Sequence, residues 1–335
     1  MIFVFTGVTT TVKCSELLEL CAAGRKRCHL VGTEAAGVVI GLDLEGRLFA
    51  VLNGEILNLV NPKAVLGTSN RDAYLNPGGD GLWPAPEGSC LGYEYASGRW
   101  RVPPGVSGAR YWIKESTPAA TTIRAEIDLI NASSLGVPAA FERRVSLAAT
   151  GNSLTMTVVE SIEYLGARRL QREECLLAPW TLAQFDCGPG CEVVFPAVAP
   201  AGIWDLYDPS DDQRCLGNDH LWHTRTDGGK RYQIGINDTV EWIEYRDPRR
   251  DLVVRRSAER QPPMLAYIDI ADRPPPEKPQ TKWGTRFSVY SDPAGFMEIE
   301  AAGGSPMEML PGQTMALMVQ TVYSIGTQTR SRQVR

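Results

Sequence analysis

The feature that most constrains this chain is a cadence of short segments alternating apolar and polar residues, each closed by turn-forming residues. Thr122–Ile130 (TIRAEIDLI) puts Arg124, Glu126 and Asp128 on one side and apolar residues on the other. Phe141–Ala148 and Ser153–Ile162 repeat the pattern, and Gly151-Asn152 makes a turn between them. Gly37–Asp43 and Leu48–Leu52 read as a hairpin around Glu45-Gly46, and Ile56–Val60 and Ala64–Leu66 continue the series. Arg231–Asn237, Glu241–Tyr245 and Asp251–Arg256 read as a meander, and Arg286–Ser291, Gly295–Ala301 and Thr314–Ser324 as the last strands. With 32 Gly and 23 Pro to supply turns, the pattern predicts an all-β, antiparallel protein with more strands than a small sandwich holds.

One helix is expected, at Ser15–Ala23 (SELLELCAA), with Ser15 as its cap and leucines along one side. It lies in an N-terminal extension, 1–34. Six prolines between Gln261 and Gln280 preclude regular structure through much of that stretch. We read 261–282 as a long loop, because the strands after it continue the same pattern, and 1–335 as a single β-sandwich domain.

The net charge of -5 disfavours a nucleic-acid partner, which would call for a basic face. No run approaches the roughly 20 apolar residues of a membrane helix. The N-terminus lacks a basic region before its apolar stretch, so the expected location is the cytoplasm, with export if the true start lies upstream. The composition does not decide the oligomeric state. The eight cysteines include no CxxC pair, so no metal site is expected. Cys187 and Cys191 flank a Gly-Pro-Gly turn, either as two small residues or as a disulfide across it. Cys14, Cys21 and Cys28 recur every seven residues, but Gly24 and Arg25–Arg27 interrupt the helix that would align them.

Three passages carry a resemblance. Asn76–Glu87 (NPGGDGLWPAPE) resembles the Gly-Gly then Trp-Pro segment of hexose-phosphate mutarotases. Leu176–Phe185 (LLAPWTLAQF) is similar to a strand of that superfamily in which an apolar run carries a Trp and leads toward Gln. Phe296–Gly312 (FMEIEAAGGSPMEMLPG) looks like the C-terminal strand that supplies a glutamate in aldose epimerases. In joint order the passages resemble a bacterial family of the galactose mutarotase-like superfamily. That resemblance implies a large antiparallel super-sandwich with a carbohydrate-facing concave sheet and no cofactor. It leaves the reaction open, because function resides in the site and not in the fold.

Mutarotation needs a base for the anomeric hydroxyl and an acid for the ring oxygen. By position in the motif Glu300 matches the catalytic glutamate of aldose epimerases. Glu298 lies two residues earlier and so shares its strand face. Two carboxylates there repel, which raises a pKa and suits acid/base work. The histidines of Asn218–His223 are candidates too, His223 as a catalytic group and His220 lining a sugar, although in chain order they do not sit where the aldose epimerase histidines sit. For binding, Asn76 and Asp80 can meet hydroxyls and Trp83 can stack on a pyranose. Trp100 is a second platform, Arg71 can clamp an anion, and Lys230 or Arg231 can reach a pocket rim. Trp180, in an apolar run, reads as core. Three readings follow: an epimerase-like isomerase or another sugar enzyme (glycosidase or lyase), a carbohydrate-binding protein without catalysis, and a structural protein that uses a sandwich edge.

Overall fold

The computed structural model describes residues 11–70, 73–87, 102–131, 133–206, 208–268 and 284–326. Two ten-stranded sheets dominate it, and all of their pairings among the described residues are antiparallel. The first sheet runs in the spatial order 28–32, 36–41, 47–52, 80–85, 178–186, 296–302, 287–292, 232–236, 203–205, with 55–56 beside 47–52. The second runs 214–216, 221–225, 192–196, 242–247, 252–258, 314–325, 153–164, 136–150, 120–130, 112–117.

Alternation decides which side chains enter the space between the sheets. In Ala120–Ile130, Ile123, Ala125, Ile127 and Leu129 are buried while Glu126 and Asp128 are exposed, as the period of two requires. The two-residue turn Gly151-Asn152 joins Gly136–Thr150 to Ser153–Tyr164, and Gly151 takes a positive φ of 55° there. The main core is continuous through both inner faces, from Val38 and Leu48 on one to Phe141 and Tyr323 on the other.

That core also holds charge. Asp80 accepts from Arg143 at 3.1 Å and from Arg256 at 2.8 Å, and Arg143 also pairs with Glu160 at 2.6 Å. All four side chains are almost wholly buried. Burial by itself would raise the Asp80 pKa, but the Arg256 and Arg143 guanidiniums outweigh it and hold the carboxyl below its ordinary value. Asp80 belongs to the first sheet and Arg143, Arg256 and Glu160 to the second, so the cluster ties the two together.

Several expectations are corrected. The helix spans Cys14–Ala23, and the Glu16 carboxylate, accepting from the Lys13 backbone N–H at 2.8 Å, serves its N-terminus in place of Ser15. Leu17 and Cys21 pack it on Phe49 and Val51, on the face of the first sheet turned away from the second. Ala64–Leu66 is helical, within Pro62–Leu66, because Asn61 caps Lys63 N–H at 3.1 Å and Pro62 opens the turn. Tyr232–Ile236 does not continue into a meander: it lies in the first sheet, and Trp242–Asp247 and Leu252–Ala258 lie in the second. Within the 261–282 loop, Leu265–Tyr267 pairs with Gly304–Pro306, and 269–282 falls outside the described residues. Cys187 and Cys191 are free thiols, the second against the Tyr245 hydroxyl at 3.7 Å.

Candidate functional site

The site is built on that same outer face of the first sheet, and strand register assembles it. Residues directly opposite across a ladder share a face. Leu182 pairs with Gly81 on one side and Glu300 on the other, and Glu300 pairs with Ser288. In the next row Gln184 opposes Glu298, Glu298 opposes Tyr290, and Tyr290 opposes Gln233. Trp180 opposes Trp83. Five strands therefore present one polar and aromatic surface, and a pocket of about 320 Å³ lies over it. That volume is at the lower end of the range for small-molecule sites, roughly 300–1,000 Å³.

Glu298 and Glu300 lie side by side among its lining groups. Glu298 accepts a short hydrogen bond of 2.5 Å from Gln184 Nε2. Glu300 accepts from Trp180 Nε1 at 3.1 Å and from Gln233 Nε2 at 3.1 and 3.2 Å. The two carboxyls are close enough to perturb each other's ionisation, and two buried like charges disfavour ionising both. Burial, then the neighbouring Glu298, pushes the Glu300 pKa well above the ordinary carboxyl range. Burial also raises Glu298, but the neighbouring Glu300, the hydrogen bond from Gln184 and the Arg47 charge work against the rise. Glu300 is thus the neutral, proton-bearing member, and Glu298 is the one that ionises first.

Aromatic rings form the walls. Trp83 meets Trp180 edge-on with centroids 5.8 Å apart and Tyr74 at 6.1 Å. Tyr290 and Phe296 stand opposite, 5.6 Å apart. At the rim Arg231 donates to the Tyr290 hydroxyl at 3.0 Å and lies 3.8 Å from Asp292.

The structure brings Glu298, Glu300, Trp83, Asn76 and Arg231 to this pocket. Trp83 is only 5% exposed, so it is a wall and not an open platform. Asp80 is absent from it, because it lies three positions before Trp83 and an odd offset along a strand means opposite faces. His223 lies in the second sheet between Glu192 and Asp219, at 2.8 and 3.1 Å, and His220 occupies an exposed turn with φ 61°. Burial would lower the His223 pKa, but those two carboxylates outweigh it and raise the ring's pKa. Among the described residues no histidine lines the pocket. Lys230 turns instead to Asp212 at 2.8 Å. Arg71 and Trp100 lie outside the described residues.

Sequence reasoning missed Trp180, Gln184, Gln233, Tyr74 and Tyr290. Trp180 reads as core because its segment is apolar throughout, yet every second residue of that strand, Trp180, Leu182 and Gln184, faces the site. Both faces of the strand are buried, so which of them meets Glu298 is settled only by register. Among the described residues no cluster of three or more metal-ligating side chains occurs.

No protein-family model and no curated protein matches the chain. Solved structures do. The Slr1438 protein of Synechocystis sp. PCC 6803 is similar over 96% of this chain and 99% of its own, with 12% identity and a TM-score of 0.54. A galactose mutarotase related enzyme from Lactobacillus acidophilus is similar over 90% of this chain and 99% of its own, with 9% identity and a TM-score of 0.51. At such identity the likeness speaks to the fold alone, and the chain has the galactose mutarotase-like sandwich fold.

Proposed function

We propose that the protein binds a small carbohydrate in this pocket and interconverts its anomers. Glu298, the more open carboxyl, takes the anomeric hydroxyl proton. Glu300 holds the proton that the ring oxygen receives as the C1–O5 bond breaks; the open-chain aldehyde rotates about C1–C2, and ring closure on the other carbonyl face reverses both transfers. The observation that carries this reading is the buried pair of carboxyls, two residues apart on one strand face, within a pocket walled by Trp83, Trp180, Tyr290 and Phe296. Aromatic walls suit the apolar faces of a pyranose, and the neutral–ionised pair offers an acid and a base at one pH.

A second reading, sugar binding without chemistry, draws on one observation. Glu300 is 0% exposed and tied to both Trp180 and Gln233. Anomeric exchange spectroscopy on a panel of aldoses separates the two. Acceleration lost by about 100-fold or more in both Glu298→Gln and Glu300→Gln supports the isomerase. Selective broadening of one sugar's signals without acceleration supports the binding protein, and no response from any sugar defeats both.

A further inference from the structure

The helix Cys14–Ala23 and the strand Cys28–Gly32 enclose free thiols that the carbohydrate pocket does not use. Cys14, Leu17 and Cys21 form the buried face of the helix, and Cys14 and Cys21 are each 1% exposed. The helix ends at Ala23, the chain reverses through Arg25 at φ 52°, and the Lys26 N–H donates back to the Cys21 carbonyl at 2.8 Å. The strand then opens at Cys28. Alternation fixes which way that residue points. Val31 packs into the core between the sheets, so Cys28 and Leu30, at odd offsets from it, face the other side. That is the side on which the helix lies, and Cys28 and Leu30 both pack against the cluster that holds Cys14 and Cys21. Two thiols seven positions apart therefore enter one interface across a tight reversal, Cys21 from the last turns of the helix and Cys28 from the first residue of the strand. Cys14 lies roughly 10 Å from Cys21 along the helix axis.

Exposure divides the roles. Cys28 is half-buried on the end strand of the first sheet, whereas Cys21 is enclosed. The neighbouring Cys21 thiol outweighs burial and lowers the Cys28 pKa to about 7, and Cys28, with burial, raises that of Cys21. Burial pushes the thiols of Cys175 and Cys191 up to about 12. Thiolate character and access together select a reactive cysteine.

We propose that Cys21 and Cys28 form an oxidation site: Cys28 is the thiol that a hydroperoxide attacks, and Cys21 resolves the product to a disulfide that staples the helix to the sheet edge. The Cys28 thiolate sulfur displaces one peroxide oxygen from the other. An S–O bond forms, the O–O bond breaks, and the departing oxygen takes a proton and leaves as water or an alcohol. The Cys21 sulfur then attacks the Cys28 sulfenic acid. The S–S bond forms, the S–O bond breaks, and hydroxide leaves as water with the Cys21 proton. Two thiols give up one electron each and one hydroperoxide is reduced. This site is independent of the sugar pocket and of the reaction proposed there.

The test exposes the native full chain to dilute hydrogen peroxide, blocks the remaining thiols with N-ethylmaleimide in denaturant and maps the peptides by mass. The expected product is a peptide pair joined through Cys21 and Cys28, reversed by dithiothreitol and formed at least about 10-fold faster than Cys175 or Cys191 is consumed. In Cys21→Ser, Cys28 is expected to stop at the sulfenic acid and be trapped by dimedone. In Cys28→Ser, Cys21 is expected to stay reduced. If Cys21→Ser does not fold, the parent and Cys28→Ser, altered at a half-buried position, decide the matter. A link through Cys14, Cys21 oxidised in Cys28→Ser as fast as in the parent, or thiols consumed without a Cys21–Cys28 bond would each overturn the proposal.

Discussion

Glu300 keeps its proton in the folded protein and, in an unfolded chain, releases it near its ordinary value of 4.5. Above that pH the unfolded state binds fewer protons, so stability falls as pH rises toward the folded pKa, by about 1.4 kcal/mol per unit. Glu300→Gln retains an acceptor for Trp180 and Gln233 but has no proton to lose. Denaturant unfolding across pH 4 to 8 is expected to show a downward slope in the parent and a flatter one in the variant. At neutral pH the variant is more stable by about 1–3 kcal/mol while anomeric exchange is lost, a trade common at functional sites. Equal pH slopes would contradict the protonation state assigned to Glu300.

At the scale of the element, the strand Asp80–Ala85 does two jobs on two faces. Its inward face carries Asp80 into the ion cluster, and its outward face carries Trp83 and the gap above Gly81. Gly81→Ala is expected to cost about 1–3 kcal/mol through overpacking against Arg47. Unchanged thermal stability in that variant would mean that the Arg47 side chain has room to retreat. Much at this level was legible from sequence. Residues 120–164 and 314–325 announce themselves because one face is wet and the period of two stays clean. Glu298 and Glu300 were paired by the same arithmetic. What stayed hidden has one physical origin: Ala178–Asp186 is buried on both faces and reads as uniform, so Trp180 and Gln184 cannot be sorted from their neighbours without the register that brings Glu298 alongside. His223 misled for a related reason. A titratable side chain near carboxylates is equally at home in a surface ion network.

Across the whole molecule, the joint between the sheets is electrostatic as well as apolar. Asp80→Asn leaves Arg143 and Arg256 short of a buried counter-charge, and a loss of about 3–5 kcal/mol in urea unfolding is expected. Arg143→Met combined with Glu160→Met, which removes a buried pair and substitutes apolar volume, is expected to cost less than Asp80→Asn. The reverse order would show that the cluster contributes net stability beyond the cost of breaking it.

The two sheets also differ in how far apart their neighbours lie along the chain. Residues 112–164 form four strands that pair each with the next, closed by short turns. The site brings together Trp83, Gln184 and Glu300, so its ladders close loops of roughly a hundred residues. During synthesis the local meander can form early, but the carboxyl pair cannot meet its wall until nearly the entire chain has left the ribosome. In pulse-labelled hydrogen exchange, the amides of 120–164 are expected to be protected before those of 178–186 and 296–302. A product truncated before residue 296 would keep the 112–164 meander but lack both the carboxyl pair and the 314–325 strand that joins the meander to 252–258.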